Sequence, residues 1–590
     1  MQGNGKFSKR ILFLDLIIVS IAAVLIGRLY SLQVVRGADY RDKAEGQYQL
    51  ASDPFDRNTI YFTEKNGNLV AAATLKNGFV LVINPGKFAQ EENPEKFSAD
   101  AVKKISAEDA YEKMNALFPL DREEFMLKMS KTGDPYEEVA HRIPEETARK
   151  IKNLDIDGVS IYREHWRYYP GGNSASHILG FVGYESDGVT LSGRYGLESY
   201  YDILLNKNDG GPKMNFFAEV FSSVGNVIDP SAKIKGDIAL TIEPTVQSSL
   251  EKQLADTKEK YNGGEIGGII MDPKTGEIYA MASLPNFDPN DVSREENVSV
   301  FNNPLIGSRY EMGSVVKPLA MAAAIDAGSV TASSTYNDNL GYIIVDKEKI
   351  SNYDGKGRGN KIPMQEVLNQ SLNTGMVYVM KQMGRTKFSS YMNAYGLGET
   401  TKIDLHAEAA GDTENLKEPR DVEHATAAFG HGISLTPIGI TRALSSLGNG
   451  GYLPEPHLLK QTIYPAGITK DNNLEPGPRV LKPETSEKIT RMLVTVVDKA
   501  LLNGTVKIPN YSVAAKTGTA EISQGGGKGY YTDRYLHSFF GYFPAYDPKF
   551  IVFLYVVNPQ GEEFASHTLT DPFMQLAKFL LTYYEIPPDR

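Results

Sequence analysis

Ser314 and Lys317 stand three residues apart in Tyr310-Glu-Met-Gly-Ser314-Val-Val-Lys317-Pro318-Leu-Ala-Met-Ala-Ala-Ala. The alanine-rich run after Pro318 predicts a buried helix, because proline is tolerated only in a first turn. Ser314 then lies at the helix start, where free N–H groups and the positive dipole end stabilise an oxyanion. Lys317 shares its face. Partly withdrawn from water, a lysine there has its pKa lowered and can take the serine proton, which makes the pair nucleophile and base for acyl transfer. Ser371 and Asn373 follow the helical run Pro363 to Gln370. Ser371 is suited to relay a proton to a leaving group, and Asn373 to hold a substrate's peptide backbone. Lys516-Thr517-Gly518-Thr519 predicts a strand edge fitted to an acyl substrate ending in a carboxylate. Lys516 supplies the field, Thr517 and Thr519 supply donors, and Gly518 lets a substrate backbone approach. The Thr519 N–H is the expected second oxyanion donor beside that of Ser314.

Each piece has decoys. Ser249-Leu-Glu-Lys252 repeats the serine–lysine spacing, with Leu250 and Leu254 as an inward stripe and Glu251, Gln253 and Asp256 as a solvated face. Nothing there would desolvate Lys252. Lys131-Thr-Gly133 stands beside Asp134-Pro135 and reads as a loop, and Lys274-Thr-Gly276 reads as a hairpin turn. Gly525-Gly-Gly-Lys-Gly529 has no Ser or Thr after its lysine, so it fails as a phosphate loop and reads as a mobile loop at a cleft rim.

The elements that must position these residues begin near residue 236. A strand over Ile238–Ile242, a helix from Pro244 through Lys260 and a hairpin with arms Gly267–Met271 and Glu277–Met281 come first. Strands over Phe539–Phe543 and Phe550–Val557 and a helix from Pro572 to Tyr584 close the chain. Strands at both ends with helices between them predict one antiparallel sheet flanked by helices, an α+β fold. The preceding stretch is mixed, with a strand over Gly78–Asn84 and helices over Ser106–Leu117 and Asp121–Met129. Residues 1–10 are expected to be a cytoplasmic tail, 11–33 a transmembrane anchor, 34–235 a non-catalytic domain and 236–590 the catalytic domain.

Lys6, Lys9 and Arg10 precede the apolar run Ile11–Gly27, which no small-x-small cleavage site follows. An uncleaved helix of roughly 20 residues spans about 30 Å of hydrocarbon and, with the basic residues inside, puts the bulk outside the cytoplasm. Asp15 is read as an interfacial charge near Arg10, with contact to a partner membrane protein as the open alternative. A net charge of −11 argues against nucleic acid as a partner. With no cysteine and nine scattered histidines, thiol chemistry and disulfides are excluded and no metal or other cofactor is expected.

The trio Ser314-x-x-Lys317, Ser371-x-Asn373 and Lys516-Thr-Gly-Thr519, in that order, resembles the penicillin-binding proteins, and nearly the whole chain resembles their class B, the monofunctional peptidoglycan transpeptidases, most of all the division type. Asp56-Arg57-Asn58, Arg167-Tyr-Tyr-Pro170, His177–Gly183 and Gly196-Leu-Glu198 resemble that family's pedestal, and Phe429–Pro437 the approach to a core helix; all are read as packing. The resemblance implies a penicillin-binding transpeptidase fold on a mixed α/β pedestal, and attack by Ser314 on the D-Ala-D-Ala bond of a stem peptide with transfer to a neighbouring amine. It also implies covalent capture of β-lactams and an integral-membrane SEDS-type glycosyltransferase as partner. Met312 replaces a usual proline, Leu372 a small residue and Ala515 a glycine. Two alternatives stay open: a D,D-carboxypeptidase or β-lactamase-type hydrolase, and a non-catalytic β-lactam or muropeptide receptor.

Overall fold

The computed structural model describes residues 56–88, 105–187, 190–207, 235–524 and 529–590. The expected anchor and the glycine-rich stretch 525–528 lie outside them; among the described residues no helix is long and apolar enough to cross a membrane.

The catalytic half is organised by five antiparallel strands, β1 (Ile266–Met271), β2 (Ile278–Leu284), β3 (Ala514–Ser523), β4 (Tyr530–Phe543) and β5 (Phe550–Val557), in the spatial order β3-β4-β5-β1-β2. Both faces are covered. Along β5, Ile551, Phe553 and Tyr555 join one core cluster, while Phe550, Val552, Leu554 and Val556 join the other. The period-2 alternation is present, but both faces are apolar, which is why this strand reads as one unbroken hydrophobic run. One face packs on α1 (Pro244–Tyr261) and the closing helix Thr570–Tyr583. The other takes α2 (Lys317–Asp326), whose ten residues are all buried, as its all-round apolar sequence requires. Because β1 and β3 lie far apart in sequence, the sheet forms only when distant segments meet.

Local signals set the helix ends. Glu243 caps α1 by accepting from Val246 N at 2.6 Å, and Pro244 occupies its first turn. In the earlier stretch, Ser106 and Asp121 accept from Asp109 N and Glu124 N and open helices at Ala107–Asn115 and Arg122–Met129. Leu250 and Leu254 are buried as expected. Glu251 differs: instead of facing solvent it accepts from Ser174 Oγ, Ala175 N and Gln247 Nε2.

The composition change near residue 235 is not where contacts divide the chain. One compact unit holds Lys76–Trp166; the other holds Arg57–Leu75 together with Arg167–Arg590. The first has its own core around Leu81, Met114, Phe125, Ile143 and Ile151. In the second, Ile60 and Tyr61 pair in parallel with Ile238 and Ala239, and Leu459–Ile463 pairs on the other side of Asp237–Leu240. Residues that flank the first unit in sequence therefore complete a sheet with the catalytic half, which a composition profile cannot register.

A buried ion cluster ties the segments of this larger unit. Glu198, fully buried, accepts from Arg57 Nε and Arg167 Nε at 2.6 Å each, while Arg57 also reaches Asp202 at 2.8 Å and Arg167 the Asn58 carbonyl at 2.7 Å. Burial pushes the Glu198 carboxyl up, but Arg167 and Arg57 outweigh it and hold the group below the ordinary glutamate range. The stretches around Arg57, Arg167 and Glu198, read as packing, pack through charge. Removing one member strands the others without water, so Glu198→Gln is expected to destabilise by about 3–5 kcal/mol. Denaturant unfolding checks this, and a loss below about 1 kcal/mol would show that the arginines re-pair elsewhere.

Candidate active site

Ser314 occupies a single 3-10 turn, Gly313–Val316, that runs directly into α2. Gly313 has φ +62°, and a Cβ there would lie 2.9 Å from the Thr519 carbonyl oxygen, so glycine allows the serine turn to touch β3. Lys317, the first residue of α2, is fully buried. Its Nζ donates to the Ser371 carbonyl at 2.6 Å, to Ser371 Oγ at 3.1 Å and to Asn373 Oδ1 at 2.8 Å. These partners are neutral oxygens. Burial first, and then the nearby Lys516 charge, hold the Lys317 ammonium well below the ordinary lysine range.

Ser371 lies in the turn between Met364–Asn369 and the helix α3 (Asn373–Met383), with φ +56°. Its hydroxyl accepts from Lys516 Nζ at 3.1 Å as well as from Lys317, so one oxygen bridges two lysines. Asn373 is committed inside the site: besides accepting from Lys317, its Nδ2 donates to the Ser351 carbonyl at 2.9 Å. One amide hydrogen of Asn373 is left for a substrate.

Lys516, Thr517, Gly518 and Thr519 lie on β3, which among the described residues pairs with β4 alone and so leaves one edge open. Lys516 is 4% exposed, and burial brings its pKa down to about 8. The Thr519 carbonyl faces Gly313, on the open side; N–H and C=O of one strand residue point the same way, so the Thr519 N–H faces the serine turn too. Gly518 is wedged: a Cβ would lie 2.4 Å from Ser538 Oγ and 2.7 Å from the Met312 carbonyl. Met312, Leu372 and Ala515, the three departures from the family pattern, are each fully buried, and the Met312 carbonyl accepts from Ser538 Oγ at 2.9 Å.

Ser314, Ser371, Asn373, Lys516, Thr517 and Thr519 line one cleft of about 470 Å³. A larger cavity of about 640 Å³, lined in part by His177, Arg194, Glu265 and His406, contains none of these residues. Four aromatic residues of the cleft, Phe429, His431, Tyr353 and Phe564, were not singled out by sequence. His431 and Phe429 sit in Phe429-Gly-His-Gly432, read only as packing; the paired glycines were the available signal. His431 Nδ1 is 3.7 Å from Glu311, but burial and then the Lys317 charge push the imidazole down to about 4, so at neutral pH the contact is not an ion pair. Tyr353 and Phe564 reach the rim from loops that carry no pattern. The decoys lie elsewhere: Lys252 is exposed, Lys131-Thr-Gly133 forms a turn, and Lys274, in the β1–β2 hairpin, pairs with Asp547. Among the described residues no cluster of three His, Asp or Glu is disposed to hold a metal.

The family model for the penicillin binding protein transpeptidase domain matches residues 266–576, and that for the penicillin-binding protein dimerisation domain matches 63–229. The chain belongs to the penicillin-binding proteins, and its catalytic half is their transpeptidase domain. Stage V sporulation protein D of Bacillus subtilis is 32% identical over 95% of this chain and 83% of that protein. Peptidoglycan D,D-transpeptidase FtsI of Escherichia coli is 28% identical over 82% of this chain and 79% of that one. Penicillin Binding Protein 2X of Streptococcus thermophilus superposes with a TM-score of 0.70 at 20% identity, covering 90% of this chain and 80% of that one, and shares the fold.

A Cβ at Gly518 must push β3 away from the serine turn. Gly518→Ala is therefore expected to slow acylation by a labelled penicillin about 100-fold, the cost of a displacement near 1 Å. Wild-type acylation by that variant would mean the close approach is not needed.

Proposed function

We propose that this chain crosslinks peptidoglycan by D,D-transpeptidation, through an acyl-enzyme on Ser314. The observation that carries this reading is the buried Lys317, bonded to neutral oxygens and three residues from a serine in the same cleft as Lys516. Lys317 in its neutral form takes the Ser314 proton as the hydroxyl attacks the carbonyl between the two D-alanines. The Ser314 and Thr519 N–H groups receive the oxyanion. Lys516 holds the terminal carboxylate with the Thr517 and Thr519 hydroxyls beside it, while Gly518, expected to admit a substrate backbone, instead makes room for the serine turn against β3. Ser371, hydrogen-bonded to both lysines, passes a proton to the departing D-alanine amine. The remaining Asn373 amide hydrogen orients the substrate's peptide bond. A second stem's amine then attacks the ester, forming the crosslink and freeing Ser314. β-Lactams open on the same serine and stay.

The protein's setting follows from its N-terminus and its family. The basic, then apolar, residues 6–33 support a single-pass anchor in the plasma membrane with both compact units outside the cytoplasm. A transpeptidase that does not polymerise glycan strands needs a polymerase, and an integral-membrane SEDS-type glycosyltransferase fits. Resemblance to division-type members supports septation. Similarity to a protein named for a stage of sporulation supports a second reading, synthesis during spore formation. A functional fluorescent fusion is expected at mid-cell in growing cells; signal only in sporulating cells would favour the second reading, and signal along the side wall would defeat both.

Incubation with benzylpenicillin should leave a long-lived adduct on Ser314 by mass spectrometry and none on Ser314→Ala. Turnover within seconds would mark a hydrolase instead. The pH profile follows from the two lysines. Because Lys317 acts unprotonated and burial holds its pKa well below 10.5, acylation rises with pH through an ionisation that lies below the ordinary lysine range. Lys516 acts protonated with a pKa of about 8, so acylation by carboxylate substrates falls above that pH. A profile still rising at pH 10 would mean Lys317 is not the base.

A further inference from the structure

We infer that Asp338 and Asn352, neither of which lines the cleft, are positioning residues that hold the Ser371–Asn373 turn against Lys317. Both come from the segment between α2 and Met364–Asn369, which forms two small two-stranded sheets, Thr335–Asp338 with Gly359–Pro363 and Tyr342–Val345 with Glu348–Ser351. Each is 3% exposed.

The turn they face needs holding. Ser371 is a non-glycine residue at φ +56°, a conformation that persists only where its surroundings over-determine it. Its helix, α3, also lacks a cap of its own: Leu372 at the N-cap makes no side-chain bond. Asn352 supplies the missing acceptor from outside, taking Thr374 N at 3.2 Å on its Oδ1. Its Nδ2 donates to Asp338 Oδ2 at 2.9 Å and to the Lys356 carbonyl at 3.1 Å, so both amide hydrogens are used. Thr374 Oγ1 lies 3.2 Å from Asp338 Oδ1 and 3.1 Å from Asn352 Oδ1, donating its one hydrogen to either, with the Tyr336 hydroxyl 3.0 Å away on the other side.

The same segment grips the turn at two further points. The Ser351 carbonyl accepts from Asn373 Nδ2 at 2.9 Å, which aims Asn373 Oδ1 at Lys317. Arg358 Nε donates to Gln370 Oε1 at 2.7 Å, immediately before Ser371, while its other nitrogens hold Asp354. The strained residue is thus clamped on both sides by one segment, and the oxygens it presents are those that receive Lys317 and Lys516. Asp338 and Asn352 form the innermost contact of that clamp. Their pairing has a direction: Asn352 donates and Asp338 accepts.

The test rests on reading Lys317 as the base and is built to fail separately from it. Benzylpenicillin acylation of the full chain is measured from pH 5 to 10, with thermal unfolding alongside, for Asp338→Asn, Asn352→Asp and the exchange variant D338N/N352D. Asp338→Asn puts a donor in place of one of the two oxygens that accept from Asn352 and Thr374, and Asn352→Asp sets two carboxylates against each other; the exchange again sets a donor against an acceptor. Each single variant is expected to acylate at least about tenfold more slowly at pH 7, since small displacements of reacting groups carry costs of this order. The rise of rate with pH should shift upward, because water reaching Lys317 relieves the burial that lowers its pKa. The exchange should recover part of both losses, the Lys356 carbonyl staying without its donor at position 352, which a general loss of packing would not produce. Single variants with wild-type rate and pH midpoint would overturn the inference. So would losses that follow unfolding alone, with an unshifted midpoint and no recovery in the exchange. Wild-type acylation by Lys317→Ala would instead remove the base assignment, whatever the other variants do.

Discussion

The chemistry of this protein depends on a buried lysine whose hydrogen-bond partners are all neutral. An ammonium without water or a carboxylate beside it is costly, so Lys317 is pushed toward its neutral amine. Its three acceptors, the Ser371 carbonyl and hydroxyl and Asn373 Oδ1, orient the nitrogen without neutralising a charge. Much of the surrounding structure serves that placement. The helix carrying Lys317 is buried along its whole length, which excludes water, and the turn carrying Ser371 is strained, which brings its oxygens forward. Lys516, sharing the Ser371 hydroxyl, adds a repulsive field that lowers Lys317 further.

The sheet supplies the other half of the site. Its five strands are covered on both faces, so β3 is a rigid platform, but its outer edge stays open. An open edge offers unpaired N–H and C=O groups to an extended peptide, and Lys516, Thr517 and Thr519 stand on that edge. The close approach between Gly313 and the Thr519 carbonyl, and between Gly518 and the Met312 carbonyl, leaves no room for even a methyl group. Serine turn and strand edge therefore form one surface, and the two expected oxyanion donors come from opposite sides of it.

Charge is used differently away from the cleft. Around Glu198 two arginines and a carboxylate are buried together at 2.6 Å, with backbone carbonyls taking further guanidinium hydrogens. There the ions are paired, and the result is attachment of Arg57 and its strand to the segment 167–205. In the cleft the lysines have no carboxylate partner among the described residues, and the result is reactivity. The contrast separates structural from chemical use of buried charge within one chain.

Local order was largely legible in the sequence. Pro244 and Pro318, the caps at Ser106 and Asp121, and the apolar runs of β1 and β5 mark their elements because their causes act over a few residues. The trio Ser314–Lys317, Ser371–Asn373 and Lys516–Thr519 was recognisable from type, order and context, and Ser314, Ser371, Asn373, Lys516, Thr517 and Thr519 all line one cleft, with Lys317 buried beside Ser371. Tertiary structure alone decided the rest. His431 as a cleft residue, Glu251 as an internal acceptor, the pairing of Ile60 with Ile238 and the bracing of Ser371 by Asp338 and Asn352 all join residues distant in sequence. Residue type and spacing determine what a group can do and which local element it begins; only the folded chain determines which groups lose water together, and that loss is what turns Lys317 from a surface cation into a base.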